Sequence, residues 1–182
     1  MTRLSSVWSN IVRQAHQWQF RRACIQAGAP LHVHGRCLVS GSGSIRVGNH
    51  IMLKSPKHQP IDIYASSGAE VSIGDHTFIN RGVRISCSER IQIGSHCLIG
   101  DDCVIIDNDY HAIGGGPAKV APIDIGDHVW LALRVIVLRG VTIGTGSVVG
   151  AGSIVTRSIP PYTFAAGAPA RAIRTIEPDS KH

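Results

Sequence analysis

The sequence predicts an all-β solenoid, a parallel β-helix in which each turn of the chain stacks on the turn before it. Aliphatic side chains recur at every sixth position, at Ile125, Leu131, Val137, Ile143, Val149 and Val155. A second row keeps the same spacing two positions earlier, at Ile123, Val129, Val135, Val141, Ser147 and Ser153. A small residue follows members of the first row, at Gly126, Ala132, Gly144 and Gly150. Turns that end short strands favour such residues.

A period of six matches neither the 3.6-residue period of an α-helix nor the simple alternation of a β-meander. It matches a chain of short strands in which every turn buries its aliphatic row on the next turn. The composition agrees, because 43% of the 182 residues are hydrophobic while only 5% are aromatic. Isoleucine and valine fill a narrow prism better than aromatic rings do. The length fits one domain, or one domain with a small appendage.

Residues 1–28 are predicted to form an amphipathic helix. Apolar residues follow the helical spacing, at Leu4, Val7, Trp8, Ile11, Val12, Ala15 and Trp18. Arginines surround this stripe, at Arg3, Arg13, Arg21 and Arg22. Two interpretations stay open. The helix caps the open end of the coil or packs on its flank, or residues 1–22 lie on a membrane surface near a lipid-linked substrate.

The sequence predicts a cytoplasmic protein, with the inner face of the membrane as the alternative location. It contains no stretch of about 20 apolar residues that could form a transmembrane helix. The N-terminal segment lacks the continuous apolar core of a signal peptide. The five cysteines include no C-x-x-C pair, which favours reduced thiols in a cytosolic protein.

The β-helix is predicted over residues 29–160, with an irregular start. The interior pattern steadies further along, at Ile73, Ile79, Ile85, Ile93, Ile99 and Ile105. A loop over 107–122 interrupts it and contains three consecutive glycines and two prolines. A loop of this length inside a solenoid is more often functional than decorative. Residues 161–182 are predicted to form a C-terminal tail.

The net charge of +6 indicates an acidic ligand. Nucleic acid, an anionic membrane surface and a phosphorylated cofactor all satisfy this charge. Nucleic acid is disfavoured, because the basic residues are dispersed and no aromatic platform is interleaved with them.

The long loop contains a candidate general base, in the run Asp107-Asn108-Asp109-Tyr110-His111. A loop histidine preceded by carboxylates suits this role, because a carboxylate can hold the ring and stabilise its cation. The alternative from these residues alone is a histidine that only hydrogen-bonds to its surroundings.

Several motifs occur in one fixed order after the early coils. They are Phe78-Ile79-Asn80, Asp107-x-Asp109-x-His111, Pro122-Ile123-x-Ile125-Gly126-Asp127-x-Val129-Trp130, Gly140-Val141-Thr142-Ile143-Gly144, Val149-Gly150-Ala151-Gly152-Ser153-x-Val155-Thr156, Ile159-Pro160-Pro161 and Ala165-Ala166-Gly167-x-Pro169-Ala170-Arg171. With these motifs, about half of the chain resembles the hexapeptide-repeat acyltransferases. It is most similar to their sugar O-acetyltransferase branch, which includes the maltose, galactoside and xenobiotic acetyltransferases.

This resemblance implies a left-handed parallel β-helix that assembles as a homotrimer with active sites between subunits. It implies acetyl-CoA as the donor substrate, a sugar hydroxyl as the acceptor and no metal. The acceptor expected from the resemblance belongs to a cell-surface polysaccharide or its precursor. The basic charge fits this donor, since arginine pairs well with the phosphates of CoA.

The resemblance also assigns roles to individual residues. His111 matches the catalytic histidine, which takes the proton of the sugar hydroxyl as its oxygen attacks the thioester carbonyl. A backbone N–H near Ala132 is expected to stabilise the oxyanion. The acceptor-binding positions are Asn80, Ser88 and Asp109. The CoA-binding positions are Trp130, Ala132, Ala151, Thr156, Arg157, Arg171 and Arg174.

The chain departs from the family pattern in two places. Ala132 and Leu133 follow Trp130-Leu131, where the family shows glycine and then serine or alanine, so they narrow the donor tunnel. Ser88 replaces an acceptor-binding aspartate, which argues against maltose or galactoside as the acceptor. A nucleotide sugar, a lipid-linked glycan, a polymer and an antibiotic all stay open, as does an amino group in place of the hydroxyl.

Two other functions are alternatives. The first is a non-catalytic trimeric β-helix scaffold. The second is a γ-type carbonic anhydrase, which needs three histidines on zinc, two of them five residues apart. His111 has Ile106 and Gly116 at that distance, so zinc is disfavoured.

Overall fold

The computed structural model describes residues 12, 14–20, 22–24, 26–112 and 114–177. It confirms the parallel β-helix, with about seven turns. The left hand of the coil stays a prediction from the family resemblance. Each turn passes through three sheets in the same order, and strands of successive turns pair in parallel.

The three sheets form faces A, B and C of the coil. Face A contains β1 (Gln26–Ala27), β4 (Ser44–Val47), β7 (Glu70–Ile73), β10 (Arg90–Ile93), β13 (Ile123–Ile125) and β16 (Thr142–Ile143). Face B contains β2 (Leu31–Gly35), β5 (Ile51–Ser55), β8 (Phe78–Ile79), β11 (Leu98–Ile99), β14 (Trp130–Leu131), β17 (Val148–Val149), β19 (Thr163–Gly167) and β20 (Ala170–Thr175). Face C contains β3 (Cys37–Gly41), β6 (Ile61–Ala65), β9 (Arg84–Cys87), β12 (Val104–Ile106), β15 (Ile136–Leu138) and β18 (Ile154–Val155).

The interior of the coil consists of the two rows that the sequence spacing predicts. All twelve positions are buried, and Ile143 has no exposed surface. The parallel register stacks each interior residue on its counterpart one turn away, as in the pair Ile105 and Val137. Full burial of one such aliphatic side chain contributes about 1.5–3 kcal/mol. The stacked rows therefore supply the main stabilising interaction of the fold.

The N-terminal helix packs on the first turn of the coil. The described residues 12, 14–20, 22 and 23 are helical. Phe20 is buried in the core, and the Gln17 Nε2 donates to the Leu31 carbonyl at 2.8 Å. This placement agrees with the interpretation that the helix covers the end of the coil.

The described members of the predicted apolar stripe, which are Val12, Ala15 and Trp18, do not face the core. Val12 and Trp18 are exposed, Trp18 by 58%, and the Arg22 guanidinium lies 4.7 Å from the Trp18 ring centroid. The buried contact comes from Phe20, which does not belong to that stripe. The other predicted members lie outside the described residues, namely Leu4, Val7, Trp8, Ile11, Arg3, Arg13 and Arg21.

At the other end, the coil extends past the predicted boundary at residue 160. Strand β19 pairs in parallel with β17, so it adds one more strand to face B. The chain then reverses, and β20 pairs antiparallel with β19. The described part of the predicted tail thus contains two strands, β19 and β20, and β20 covers the outer edge of β19.

The corner between faces A and B contains a column of stacked histidines, which the sequence reasoning missed. His50, His76, His96 and His128 adopt left-handed backbone conformations, with φ between 56° and 58°. Their successive ring centroids are 4.4, 4.7 and 4.8 Å apart, and the rings are nearly parallel. Such left-handed corner positions usually hold glycine, asparagine or aspartate. The recurring Gly-x-His pattern in the sequence is the signal that predicts this column.

The buried thiols give the first testable prediction. Cys87, Cys97 and Cys103 are free and buried, and burial raises the pKa of Cys97 and of Cys103 to about 11. Because the thiolate is the reactive form, we expect iodoacetamide to leave these three unmodified in the native protein at pH 8. All five cysteines should react after unfolding in guanidinium. Peptide mass spectrometry measures both states, and modification of native Cys97 would contradict the buried row.

Candidate functional site

The long loop begins at a buried carboxylate that fixes its path. Asp107 has no exposed surface, and its oxygens accept hydrogen bonds from the backbone N–H groups of Ser88 at 2.7 Å and Glu89 at 2.8 Å. A third bond comes from the Arg90 N–H at 3.1 Å. Asp107 therefore ties the loop to the turn between β9 and β10.

The two ends of the loop are paired with each other. Asn108 and Val120 form an isolated antiparallel bridge, and the Asp109 N–H donates to the Lys119 carbonyl at 3.0 Å. Further along, the Tyr110 hydroxyl lies 2.6 Å from the Ser86 Oγ, which attaches the loop to face C. These contacts hold the segment that carries His111.

His111 is exposed on this loop, and its backbone N–H donates to the backbone carbonyl of Asp109 at 2.6 Å. The two preceding carboxylates do not hold its ring in the way that the sequence suggested. Asp107 faces the turn after β9, and the Asp109 Oδ1 lies 2.7 Å from the Arg139 Nε. Both carboxylates thus position the loop, while the imidazole is left accessible.

Ser88 is part of the same support. Its Oγ accepts from the Asn108 Nδ2 at 3.0 Å, and its N–H donates to Asp107. A second carboxylate at this position would lie beside the buried Asp107 and repel it. The serine therefore suits the hydrogen-bonded turn.

Asn80 lies on a different corner, between faces B and C. Its N–H donates to the Ile99 carbonyl and its Oδ1 accepts from the Arg81 N–H, both at 3.0 Å. The left-handed residue of this turn is Gly82, with φ of 69°, so Asn80 is not needed for the backbone conformation. Asn80 instead lines a cavity of about 450 Å³.

The predicted site residues divide between these two corners. The corner between faces C and A carries Ser88, Asp109, His111, Thr156 and Arg157, which follow strands of face C. The corner between faces B and C carries Asn80, Ala132 and Ala151, which follow strands of face B. Face C separates the two groups, and a four-residue strand such as β9 spans about 13 Å. His111 is not among the described residues that line the cavity beside Asn80.

Trp130 points outward from face B and is 49% exposed. It belongs to an outward row on neighbouring strands, formed by Met52, Phe78, Leu98, Trp130, Val148 and Phe164. A continuous apolar row on the surface indicates a contact with a ligand or another protein.

Ala132 does not have a free N–H. It donates to the Val149 carbonyl at 3.0 Å as part of the coil ladder. Leu133 is the residue after Ala132, and Ala151 is its counterpart one turn later. The backbone N–H groups of both have no acceptor among the described residues. The Leu133 N–H is therefore the candidate oxyanion donor next to Ala132.

The two C-terminal arginines lie on β20, at the end of face B and near the Trp130 row. Both are exposed. The Arg174 guanidinium lies 5.6 Å from the Phe164 ring centroid, and the Arg171 Nη1 donates to the Ala170 carbonyl at 2.8 Å. Neither forms an ion pair with a carboxylate among the described residues, so both charges can meet an anion.

Across the described part of the chain, no three histidine, cysteine, aspartate or glutamate side chains are grouped to hold a metal ion. The described helical segment is also too short and too polar to cross a membrane.

Comparison with known proteins identifies the repeat. Residues 122–157 match the family model described as the hexapeptide repeat of succinyl-transferase. The galactoside O-acetyltransferase of Escherichia coli is 38% identical over 124 residues, which are 66% of this chain and 61% of that protein. This chain therefore spans less than two thirds of that curated relative's length.

Two solved structures share the fold. A hexapeptide-repeat acetyltransferase of Vibrio cholerae, complexed with acetyl-coenzyme A, is 29% identical with a TM-score of 0.61, over 91% of this chain and 79% of that one. A galactoside acetyltransferase in complex with coenzyme A is 27% identical with a TM-score of 0.64, over 88% and 70% of the two chains. With its repeat, its coil and these relatives, the chain is similar to the hexapeptide-repeat acetyltransferases and shares their parallel β-helix.

Proposed function

We propose that the protein is an acetyltransferase that moves the acetyl group of acetyl-CoA to a sugar hydroxyl. The observation that carries this proposal is the accessible His111 imidazole on a loop that buried Asp107 anchors. The relatives support it, since one is a galactoside O-acetyltransferase and one was solved with acetyl-coenzyme A. We expect the acceptor to belong to a cell-surface polysaccharide or its precursor.

In the proposed reaction, the His111 imidazole takes the proton of the acceptor hydroxyl as its oxygen attacks the thioester carbonyl. The carbon–oxygen bond forms, the carbon–sulfur bond breaks, and the proton passes to the departing thiolate of CoA. The Leu133 N–H is proposed to donate to the oxygen that becomes negative. Asn80 and Asp109 are proposed to orient the acceptor.

The surface near Trp130 fits the donor in its chemistry. The apolar row on face B suits the pantetheine arm, and the Ala151 N–H, which has no acceptor among the described residues, suits one of its amide carbonyls. Arg171 and Arg174 are exposed cations that suit the phosphates at the other end. Thr156 and Arg157 lie on the far edge of face C, so we propose that they reach the donor from a neighbouring subunit.

The proposed assembly is a homotrimer with its sites between subunits. His111 and Asn80 lie on opposite edges of face C, whereas a general base has to reach its acceptor within hydrogen-bond distance. A second copy that brings its His111 edge to this chain's Asn80 edge completes the site. Such a contact joins two different surfaces, and repeated contacts of this kind close into a ring.

Subunit mixing tests the shared site. His111→Ala and Asn80→Ala each disable every site in their own assemblies. When equal amounts are unfolded together and reassembled, about one quarter of the sites combine native His111 with native Asn80. We therefore expect acetyl transfer to return to roughly a quarter of the parent value. Mixing that restores nothing, although the subunits have exchanged, would place the whole site within one chain.

The C-terminal arginines give a second test of the proposal. Arg171→Ala combined with Arg174→Ala removes two charge-assisted contacts, each worth about 1.5–3 kcal/mol when formed. We expect the KM for acetyl-CoA to rise at least tenfold while the KM for the sugar changes little. Calorimetric titration with CoA checks the same contacts without turnover. A double variant that binds CoA as well as the parent would exclude β20 from the donor site.

Detection of acetyl transfer would exclude the alternative scaffold function. Release of free CoA thiol in the presence of candidate sugars, with an acetylated sugar found by mass spectrometry, requires a catalyst.

A cytoplasmic location and membrane contact through residues 1–22 stay predictions of the sequence. Sedimentation with anionic lipid vesicles tests the membrane contact, and no binding would favour the capping role of the helix.

A further inference from the structure

The cavity at the corner between faces B and C receives side chains from four successive turns of the coil. They are His34, Lys54, Pro56, Asn80, Arg81 and Asp101. His34 and Lys54 are register partners on β2 and β5. The volume of about 450 Å³ lies in the usual range for small-molecule sites. It accommodates a sugar of one or two rings.

Among the described residues, Asp101 is the only carboxylate that lines the cavity, and it is already neutralised. The Arg81 Nε lies 2.6 Å from the Asp101 Oδ2. The next carboxylate of the same corner, Asp102, accepts from the Gln59 Nε2 at 2.6 Å and lies 3.8 Å from the Arg134 Nε. Neither carboxylate is left to bind a cation of the ligand.

The positive charges around the cavity are not neutralised in this way. Lys54 lines the cavity and forms no ion pair with any described residue. Arg36 and Lys57 lie in the neighbouring turns after β2 and β5, and the described residues offer them no ion pair either. The cavity therefore carries an excess of positive charge.

The free polar groups of the cavity wall are hydrogen-bond donors. The Lys54 ammonium has three donor positions, and the Asn80 Nδ2 donates to no described residue, while its Oδ1 accepts from the Arg81 N–H. The His34 imidazole adds a group that donates when its facing nitrogen carries a proton. Such a wall matches a ligand rich in oxygen and negative in charge. A neutral sugar would leave the Lys54 charge without a partner.

We propose that the acceptor is an anionic sugar, with a carboxylate or phosphate held by Lys54 beside the hydroxyl that is acetylated. This inference rests on the proposed acetyltransferase function, and it specifies the chemistry of the acceptor. Asn80 contacts the sugar ring or its hydroxyls, and the neighbouring subunit's loop approaches from the edge of the cavity. The charge comes either from the sugar itself, as in a uronic or sialic acid, or from an attached phosphate.

The experiment is an acceptor panel with acetyl-CoA, followed by kcat/KM for each sugar. Glucose and N-acetylglucosamine serve as neutral acceptors, glucuronic acid and sialic acid carry a carboxylate, and glucose 1-phosphate and UDP-glucose carry phosphate. We expect at least a tenfold preference for one anionic group over the neutral sugars. The preferred group distinguishes carboxylate from phosphate. The preference should shrink as salt is added.

Lys54→Gln tests the residue, since it removes the charge and keeps a similar side-chain length. We expect its KM for the anionic acceptor to rise by at least tenfold, with little change for neutral sugars or for acetyl-CoA. Lys54→Arg should retain most of the preference. The matched control is Arg84→Gln, which removes an exposed cation from face C outside this cavity. It should leave the preference unchanged.

The outcomes separate this inference from the proposed function. Neutral sugars that are acetylated as well as anionic ones, with no effect of Lys54→Gln, would overturn the inference and leave the acetyltransferase intact. If no sugar in the panel is acetylated, calorimetry with the same anionic sugars decides, because it needs no turnover. Binding that Lys54→Gln weakens would support the site, and absence of any such binding would refute it.

Discussion

His111→Ala should lower acetyl transfer by about 10²–10⁴-fold, the usual contribution of a general base. The protein should fold normally, because His111 lies exposed on the loop and contributes nothing to the stacked interior. The loop should keep its path, since Asp107 and the Asn108–Val120 bridge hold its base. The measurement is kcat/KM for acetyl-CoA and the preferred sugar, together with the thermal melting temperature.

Tyr110→Phe is the matched control for this change. It alters the neighbouring loop residue and removes only the contact between its hydroxyl and the Ser86 Oγ. We expect it to keep activity within about tenfold of the parent, because a surface hydrogen bond contributes only about 0.5–1.5 kcal/mol. Near-parent turnover in a folded His111→Ala protein would exclude His111 as the base. An equal loss in both variants would indicate that loop position, not proton transfer, limits the reaction.

Ile143→Asp should prevent folding. Ile143 has no exposed surface and lies on β16 against Ile125 of the previous turn. The substitution loses about 1.5–3 kcal/mol of apolar burial. It also buries an unpaired charge, which costs several kcal/mol more. A domain is stable by only about 5–15 kcal/mol in total, so we expect insoluble or unfolded protein.

Thr142→Lys is the control on the same strand. Thr142 is the preceding residue, its side chain points outward, and its register partner is Asp124. A charge there stays in water and faces a carboxylate, so the protein should remain soluble and melt cooperatively. Urea unfolding followed by circular dichroism compares the two variants. A cooperative transition in Ile143→Asp close to that of the parent would show that this row does not form the interior.

The interior of the coil was predictable because burial follows a short period along the chain. Ile125, Val149 and the rest of both rows repeat the same local geometry, so spacing alone assigns them to the inside. Trp130 lies between Val129 and Leu131 of the two interior rows, so the same spacing places it on the outside, and it is 49% exposed. The loop over 107–122 was also predictable from the sequence, since it interrupts the six-residue spacing of the aliphatic rows.

Other features depended on contacts between turns. Phe20 marks the side of the N-terminal helix that packs on the coil. The spacing of apolar residues did not predict this side, because it depends on where the helix meets the first turn. The histidine column forms because identical corners stack, which brings residues that are 20 or more positions apart to within 5 Å. The continuation of face B into β19 depends on pairing with β17.

By itself, the sequence determined the repeat, the interior rows and the presence of an accessible histidine on a long loop. The tertiary structure decided which side chains support that loop and which remain free. Asp107 reaches a turn 17 to 19 residues earlier in the chain, and Asp109 reaches Arg139, so neither carboxylate is left for the His111 ring. It also decided that His111 and Asn80 lie on different corners. The physical reason is that hydrogen bonds and charge pairs form between residues of neighbouring turns, which are far apart in the sequence. The spacing of the hydrophobic residues, in contrast, is set within each turn and can be read along the chain.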